Sequence, residues 1–305
     1  MINTDAPLFG RIITAMVTPF DDSLEIDYGA LERVVEHLIA TGTDSLLVSG
    51  TTGESPTLEG SERIELFKFV KQLSGPRHPV ILGVGTNCTK TTATNAQEAE
   101  RLGADGILVI APYYNKPDQR GLILHFTAVA QAVSLPVIVY NIPGRTGCNI
   151  SPETMIALAE SCPNIHAIKD STGGVDQAAS MAGNIRDSFR IYSGDDYLTL
   201  PFLSVGACGV VSVASHLIGR SLRTMIDQFF AGKLDIAREL HYKYLPLFKE
   251  LFAAPNPICV KYALSYAGII EPYLRPPLCE LDSAGQAKLA ALMKELEITA
   301  QLTRA

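Results

Sequence analysis

Val80-Ile-Leu-Gly-Val84, Gly106-Ile-Leu-Val-Ile110 and Val137-Ile-Val-Tyr140 are three short apolar runs, with segments of helical period at 91–102 and 122–133 between them. The runs are apolar at nearly every position rather than at alternate ones, as expected of parallel strands covered on both faces. Working outward, the same pattern recurs at 12–17 and 45–48 on one side and at 166–169, 190–193 and 209–213 on the other, eight runs in all. Further helical segments read at 28–40, 61–73 and 152–160. Strand starts recur about every 30 residues at first and closer together later, which is the size of one βα unit. Eight such units predict an α/β chain folded as a closed (β/α)8 TIM barrel, with a doubly wound open sheet as the alternative.

From about residue 233 the pattern becomes helical only, at 234–251, 258–267 and 283–302, punctuated by Pro246, Pro255, Pro257, Pro272, Pro276 and Pro277. The expected organisation is therefore a catalytic barrel over 1–232 and a small all-helical C-terminal domain over 233–305. The plain role of the latter is packing or oligomer contact.

Composition narrows the function. Among 305 residues, 47% are hydrophobic and 19% charged, enough apolar material for a large core and too much for global disorder. Twenty-five basic against 32 acidic residues leave a net charge of −7, which argues against a general nucleic-acid binder. No apolar run approaches the ~18 residues of a membrane span. The opening Met1-Ile-Asn-Thr-Asp-Ala-Pro-Leu8 lacks the basic and apolar regions of a signal peptide, so a soluble, cytoplasmic protein is expected. The six cysteines form no Cys-x-x-Cys and read as free, mostly buried thiols. The six histidines form no His-Glu-x-x-His, so no metal is expected. Gly83-Val-Gly-Thr-Asn-Cys88 lacks the third glycine of a dinucleotide fingerprint and no P-loop occurs, so the sequence implies no cofactor.

Barrel enzymes carry their chemistry on the loops after the strands. Those loops read Gly50-Thr-Thr-Gly-Glu54, Pro112-Tyr-Tyr-Asn-Lys-Pro117, Tyr140-Asn-Ile-Pro-Gly-Arg-Thr-Gly147, Lys169-Asp-Ser-Thr-Gly173, Ser193-Gly-Asp-Asp196 and Ser212-Val213. Lys169 follows an apolar run, so its stem is expected to enter the barrel mouth; the alternatives are a snorkelling lysine or an ion pair with Asp170. A desolvated lysine loses basicity, and its neutral amine can attack a ketone to form a Schiff base, an electron sink that acidifies the neighbouring carbon. Tyr140, Thr51 or Thr52, and Tyr113 or Tyr114 supply hydroxyls for proton relay. The Gly50–Gly53 turn offers backbone N–H groups to a carboxylate, or is simply tight. Arg145 offers a bidentate clamp for a second carboxylate, or is a surface arginine.

These motifs, with Thr18-Pro-Phe20, Gly209-Val-Val-Ser-Val213, Asn256-Pro-Ile258 and Val260-Lys261, resemble the signatures of the dihydrodipicolinate synthase family, pyruvate-dependent class I aldolases related to N-acetylneuraminate lyase. The resemblance runs from about Phe9 to the C-terminal helices. It implies a lyase in which Lys169 forms a Schiff base with pyruvate. The enamine then attacks L-aspartate 4-semialdehyde to give 4-hydroxy-tetrahydrodipicolinate, the first committed step toward diaminopimelate and lysine. It further implies a proton relay of Tyr140, Thr52 and Tyr114, with Tyr114 supplied by a neighbouring subunit of a homotetramer, a dimer of dimers. Thr51 and Thr52 would bind the pyruvate carboxylate through their amides and Arg145 the semialdehyde carboxylate, while Gly194 and Val211 line the pocket. Arg145 favours this synthase over relatives that take 2-keto-3-deoxy sugar acids, the alternative aldolase reading. A non-catalytic barrel that senses a keto acid would need no relay.

Asn87 and Tyr113 match the family's allosteric lysine pocket. Gly60, Arg63 and Thr91, however, replace groups that recognise lysine, so weak or absent inhibition by lysine is expected. Cys259 stands where many members have proline, a change expected to be neutral.

Overall fold

The computed structural model describes residues 7–298; Met1 to Ala6 of the opening segment, and the part of the expected helix 283–302 beyond residue 298, lie outside them. Among the described residues eight parallel strands follow in chain order around a closed barrel. They are β1 (Ile12–Ala15), β2 (Ser45–Val48), β3 (Val80–Gly83), β4 (Gly106–Ile110), β5 (Val137–Asn141), β6 (Ile165–Asp170), β7 (Arg190–Ser193) and β8 (Gly209–Ser212). This is the (β/α)8 barrel expected from the runs, and the open-sheet alternative falls away.

Strands β2, β4 and β7 span the expected residues. Strand β6 is longer at both ends, because Ile165 pairs with Val137 and Asp170 with Asn141, and the register shifts between Val137 and Ile138. Strand β1 stops at Ala15, two residues early, yet Met16 still donates its N–H to Leu47 O at 3.0 Å and stays buried.

The helices show why these segments wind. Tyr28–Ala40 starts at Asp27, whose Oδ1 accepts the Ala30 N–H at 2.9 Å, and it buries Leu31, Val34, Val35 and Leu38 at helical spacing. Each such aliphatic contributes about 1.5–3 kcal/mol before chain entropy is counted. Gly60–Ser74 opens with a capping box of Glu59 and Glu62, which leaves few orphan N–H groups in the first turn. Pro152–Ser161 and Ser283–Glu295 are capped by Ser151 and Asp282. Helices Asp176–Ala182, Thr199–Ser204 and Ser215–Phe230 were not expected from the sequence. The first two are under eight residues, and the third begins with a buried run, Ser215 to Gly219, that carries no amphipathic period and kinks at Ile218.

The chain divides into two compact units. The first holds the residues up to Arg11 and Pro79–Val211. In it β3 to β8 pair successively. The N-terminal segment is tied to this sheet by Tyr192 Oη donating to Gly10 O (2.9 Å) and Val210 N–H to Arg11 O (2.9 Å). The second unit holds Ile12–His78 and the residues from Ser212 onward. In it β1 pairs with β2, Thr14 Oγ1 hydrogen-bonds the Thr43 and Ser215 hydroxyls, and helix Ser215–Phe230 packs on Leu234–Glu250. Helices Ile258–Tyr266 and Ser283–Glu295 complete it.

All six cysteines are free. Cys162, Cys208 and Cys259 are buried, Cys148 is half-buried, and Cys88 and Cys279 are exposed, fewer buried than expected because the last two lie outside any packed helix face. Among the described residues no helix is long and apolar enough to cross a membrane.

Candidate active site

In the first unit, Tyr140 on β5 and Lys169 on β6 are register partners. Parallel neighbours at one level project their side chains to the same face, and Lys169 Nζ lies 4.2 Å from the centroid of the Tyr140 ring. Both are buried, Lys169 to 6% exposure, so the amine is enclosed as its apolar run predicted. Neither alternative for Lys169 holds. A snorkelling side chain would be exposed, and Asp170, next along the strand, turns to the other face. Asp170 Oδ1 accepts the Thr172 N–H at 2.9 Å, while its Oδ2 is buried with no hydrogen-bond partner.

Gly194, after β7, closes on the lysine. A Cβ there would come within 2.0 Å of Ser171 Oγ and 3.1 Å of Lys169 Cε, so any side chain would displace one or the other. Its N–H donates to Asp170 O at 2.7 Å and fixes the approach. The next residue, Asp195, belongs to the loop Ser193–Asp196, and its sequence alone points to no role. Burial pushes its carboxyl up to about 6, against the downward pull of the Lys169 charge and with Asp196 and Asp170 adding to the rise. The signal that could have found it is its place one residue beyond Gly194 at a strand end. Val211 sits buried within β8.

The loops after β3, β4 and β5 are joined. Asn115 Nδ2 donates to Asn87 O at 2.8 Å, and Cys148 Sγ donates to Pro112 O at 3.2 Å. Tyr114 is 88% exposed with a backbone φ of 72°, a region disfavoured for a residue of its size, and Tyr113 is exposed beside it. Arg145 is exposed on the helical turn Pro143–Thr146. Of the expected site residues in this unit, the structure therefore brings together Lys169, Tyr140 and Gly194, and leaves Tyr114 and Arg145 at the surface.

In the second unit, Thr51 and Thr52 lie in the turn after β2. Thr51 is half-buried. Thr52 is buried to 2%, and its Oγ1 accepts a hydrogen bond from Asn256 Nδ2 at 2.9 Å. Glu54, which ends the turn, forms a buried ion pair with Lys261, Oε1 to Nζ 2.5 Å. Burial lowers Lys261 to about 8 although Glu54 pulls the other way. In the sequence Asn256 and Lys261 stand out only as parts of the motifs Asn256-Pro-Ile258 and Val260-Lys261. Gly60 and Thr91 are exposed and Arg63 is half-buried. Among the described residues no group of three or more His, Cys, Asp or Glu side chains is placed to hold a metal ion.

This set of residues is an enclosed amine beside a phenol, with a flanking carboxyl, and can carry carbonyl chemistry by covalent catalysis. Comparison with known proteins points the same way. A family profile described as the dihydrodipicolinate synthetase family matches residues 8–296. A 4-hydroxy-tetrahydrodipicolinate synthase from Nostoc punctiforme is 50% identical over 291 residues, covering 95% of this chain and 99% of the relative. A structure described as DHDPS from Cyanidioschyzon merolae with lysine bound is 44% identical with a TM-score of 0.94, covering 96% of this chain and 99% of that one. Dihydrodipicolinate synthase from Aquifex aeolicus is 43% identical with a TM-score of 0.92, over 95% and 98%.

Proposed function

Because the chain belongs to the dihydrodipicolinate synthetase family, we propose that it condenses pyruvate with L-aspartate 4-semialdehyde through a Schiff base on Lys169. The enzyme is a lyase of lysine and diaminopimelate biosynthesis, and 4-hydroxy-tetrahydrodipicolinate is its product. The observation that carries the residue roles is the buried Lys169 amine held 4.2 Å from the Tyr140 ring.

The Lys169 amine adds to the pyruvate carbonyl, and a proton delivered to the carbinolamine oxygen lets it leave as water, giving the iminium. Its positive charge withdraws electrons and acidifies the methyl carbon, the relay hydroxyls carry that proton away, and the resulting enamine attacks the aldehyde. The amino group of the semialdehyde then displaces Lys169 and closes the ring. In this reading Tyr140 passes protons to and from the departing oxygen, which its closeness to Lys169 supports. For the second hydroxyl of the relay, expected at Thr52, the choice moves to Thr51. The Thr52 hydroxyl is shut in the turn on Asn256, whereas the half-buried Thr51 retains access. The amides of Thr51 and Thr52 receive the pyruvate carboxylate, Arg145 receives that of the semialdehyde, and Gly194 and Val211 line the pocket.

Tyr114, at 88% exposure, is too open to act within a pocket of its own chain, which supports its delivery to a neighbouring subunit. The proposal therefore includes a homotetramer built as a dimer of dimers, in the cytoplasm, without nucleic-acid or membrane partners. It also keeps 1–232 as the catalytic barrel and 233–305 as the helical domain.

The test is turnover of both substrates, coupled to a reductase that consumes the cyclic product, in wild type and Lys169→Ala. Turnover in the wild type alone, with borohydride trapping pyruvate only where Lys169 is present, is the expected result. Trapping without turnover would move the reading to another aldehyde acceptor, and a variant as active as wild type would end it.

A further inference from the structure

The turn after β2 is tethered at three successive residues, all within one unit. Thr52 Oγ1 accepts from Asn256 Nδ2 (2.9 Å), Gly53 O accepts from Thr18 Oγ1 (2.8 Å), and the Glu54 carboxylate accepts from Lys261 Nζ (2.5 Å) and from the Arg275 N–H (3.1 Å). A Cβ at Gly53 would approach Met16 O to 3.1 Å and Thr18 Oγ1 to 3.3 Å, so the turn is also pressed against the segment after β1. Glu54 takes a left-handed backbone, φ 54° and ψ 36°. Such a conformation persists in a non-glycine residue only where the surroundings over-determine it.

The partner of Glu54 is built to be immobile. Lys261 is fully buried, also donates to Tyr273 O at 2.7 Å, and stands 4.1 Å from the Phe20 ring centroid. Arg275 lies 4.5 Å from the same ring and grips Glu62 through both terminal nitrogens at 2.7 and 2.5 Å. A buried ion pair is weak evidence for stability, since apolar residues of equal volume often serve as well; its distinctive property is direction. Asn256 and Lys261 flank the start of helix Ile258–Tyr266, so one rigid element reaches the turn at two points.

We infer that the Asn256–Lys261 segment positions the carboxylate-binding turn: Asn256 acts through Thr52 and Lys261 through Glu54, and neither touches substrate. The inference rests on the reading of Thr51 and Thr52 as the site of the pyruvate carboxylate. It makes the C-terminal helices part of pyruvate recognition.

The test compares Asn256→Ala and the charge-free pair Glu54→Leu/Lys261→Met with wild type, using thermal melts to select folded protein. Pyruvate affinity is read from borohydride trapping, and the two substrates' KM values from steady-state turnover. The expected result is a pyruvate half-saturation raised by about tenfold or more, with the semialdehyde KM within about twofold of wild type. Asn256→Ala in a Thr52→Val background should then add nothing to Thr52→Val alone. Folded Asn256→Ala with wild-type pyruvate affinity, or an equal rise in both KM values, overturns the inference; this variant decides alone should the double variant not fold. Wild type that traps no pyruvate would instead overturn the functional reading beneath it.

Discussion

Lys169 and Tyr140 face one another across adjacent parallel strands, register partners with the lysine Nζ 4.2 Å from the centre of the phenol ring. The ring and the hydroxyl of Tyr140 can therefore be separated by experiment. Tyr140→Phe keeps the face that Lys169 packs on and deletes the proton donor. kcat should fall by about 10²–10⁴-fold, the size of a lost general acid–base group. Pyruvate should still be trapped on Lys169, more slowly. A coupled assay and single-turnover trapping check both, and unchanged kcat would remove Tyr140 from the relay.

Arg145 should matter to one substrate only. It sits exposed on the turn Pro143–Thr146, free of the packing that would make its loss destabilising. Removing a charge-assisted contact to a carboxylate costs about 1.5–3 kcal/mol, so Arg145→Ala should lower kcat/KM for the semialdehyde roughly 10- to 100-fold. The yield of pyruvate imine should stay at the wild-type level. Equal loss of both would place Arg145 on pyruvate instead.

The barrel was legible because each parallel strand is a short run apolar on both faces, and Ser45–Val48, Gly106–Ile110 and Arg190–Ser193 begin and end where turn residues interrupt the run. Lys169 was legible as a candidate because a cation closing such a run is carried toward the barrel mouth, and its burial in the structure decides against the snorkelling side chain that the sequence left open. The helix Ser215–Phe230 escaped because its first residues are buried all round. The Glu54–Lys261 pair escaped for a different reason. Its members lie 207 positions apart, and each alone reads as a surface charge in a loop or helix. Only closure of the fold makes them partners. Thr51 and Thr52 are neighbours of the same residue type, and only the fold brings Asn256, 204 positions away, onto the Thr52 hydroxyl.

Lysine should inhibit weakly or not at all. Asn87 and Tyr113 are present, but Thr91 is an exposed hydroxyl and Arg63 a half-buried cation, which repels rather than receives an ammonium group. The structure described with lysine bound is that of a relative 44% identical to this chain. A steady-state titration with L-lysine checks this, and strong inhibition at sub-millimolar lysine would refute it.

Asp195 should feel the Lys169 charge. Its carboxyl is raised to about 6, first by burial, and the Lys169 charge opposes the rise. Removing that charge in Lys169→Met should therefore push the Asp195 carboxyl further up, and carbon-13 NMR of the labelled carboxyl against pH checks it. A titration unchanged from wild type would show that the two groups are not coupled.

Stability should fall on mild acidification through His216. Its Nδ1 hydrogen-bonds Val213 O at 2.8 Å, and Val17 N–H donates to its Nε2 at 3.3 Å. The neutral ring with its proton on Nδ1 satisfies both contacts, and a second proton would face the Val17 amide. Burial holds the group at about 4, whereas the unfolded chain titrates near the ordinary histidine value of 6.5. Between those values the unfolded state binds the extra proton and the native state does not, so stability is fully present above 6.5 and drains away toward 4. One such group is worth about 3 kcal/mol over the window. Buried His125, also at about 4, adds in the same direction, while Asp195, raised to about 6, works against both. Urea midpoints measured from pH 7 down to the edge of acid unfolding should slope downward in wild type. The slope should be shallower in His216→Gln, whose amide can meet the same donor and acceptor without titrating. Parallel slopes in the two proteins would show that His216 is not the group being protonated.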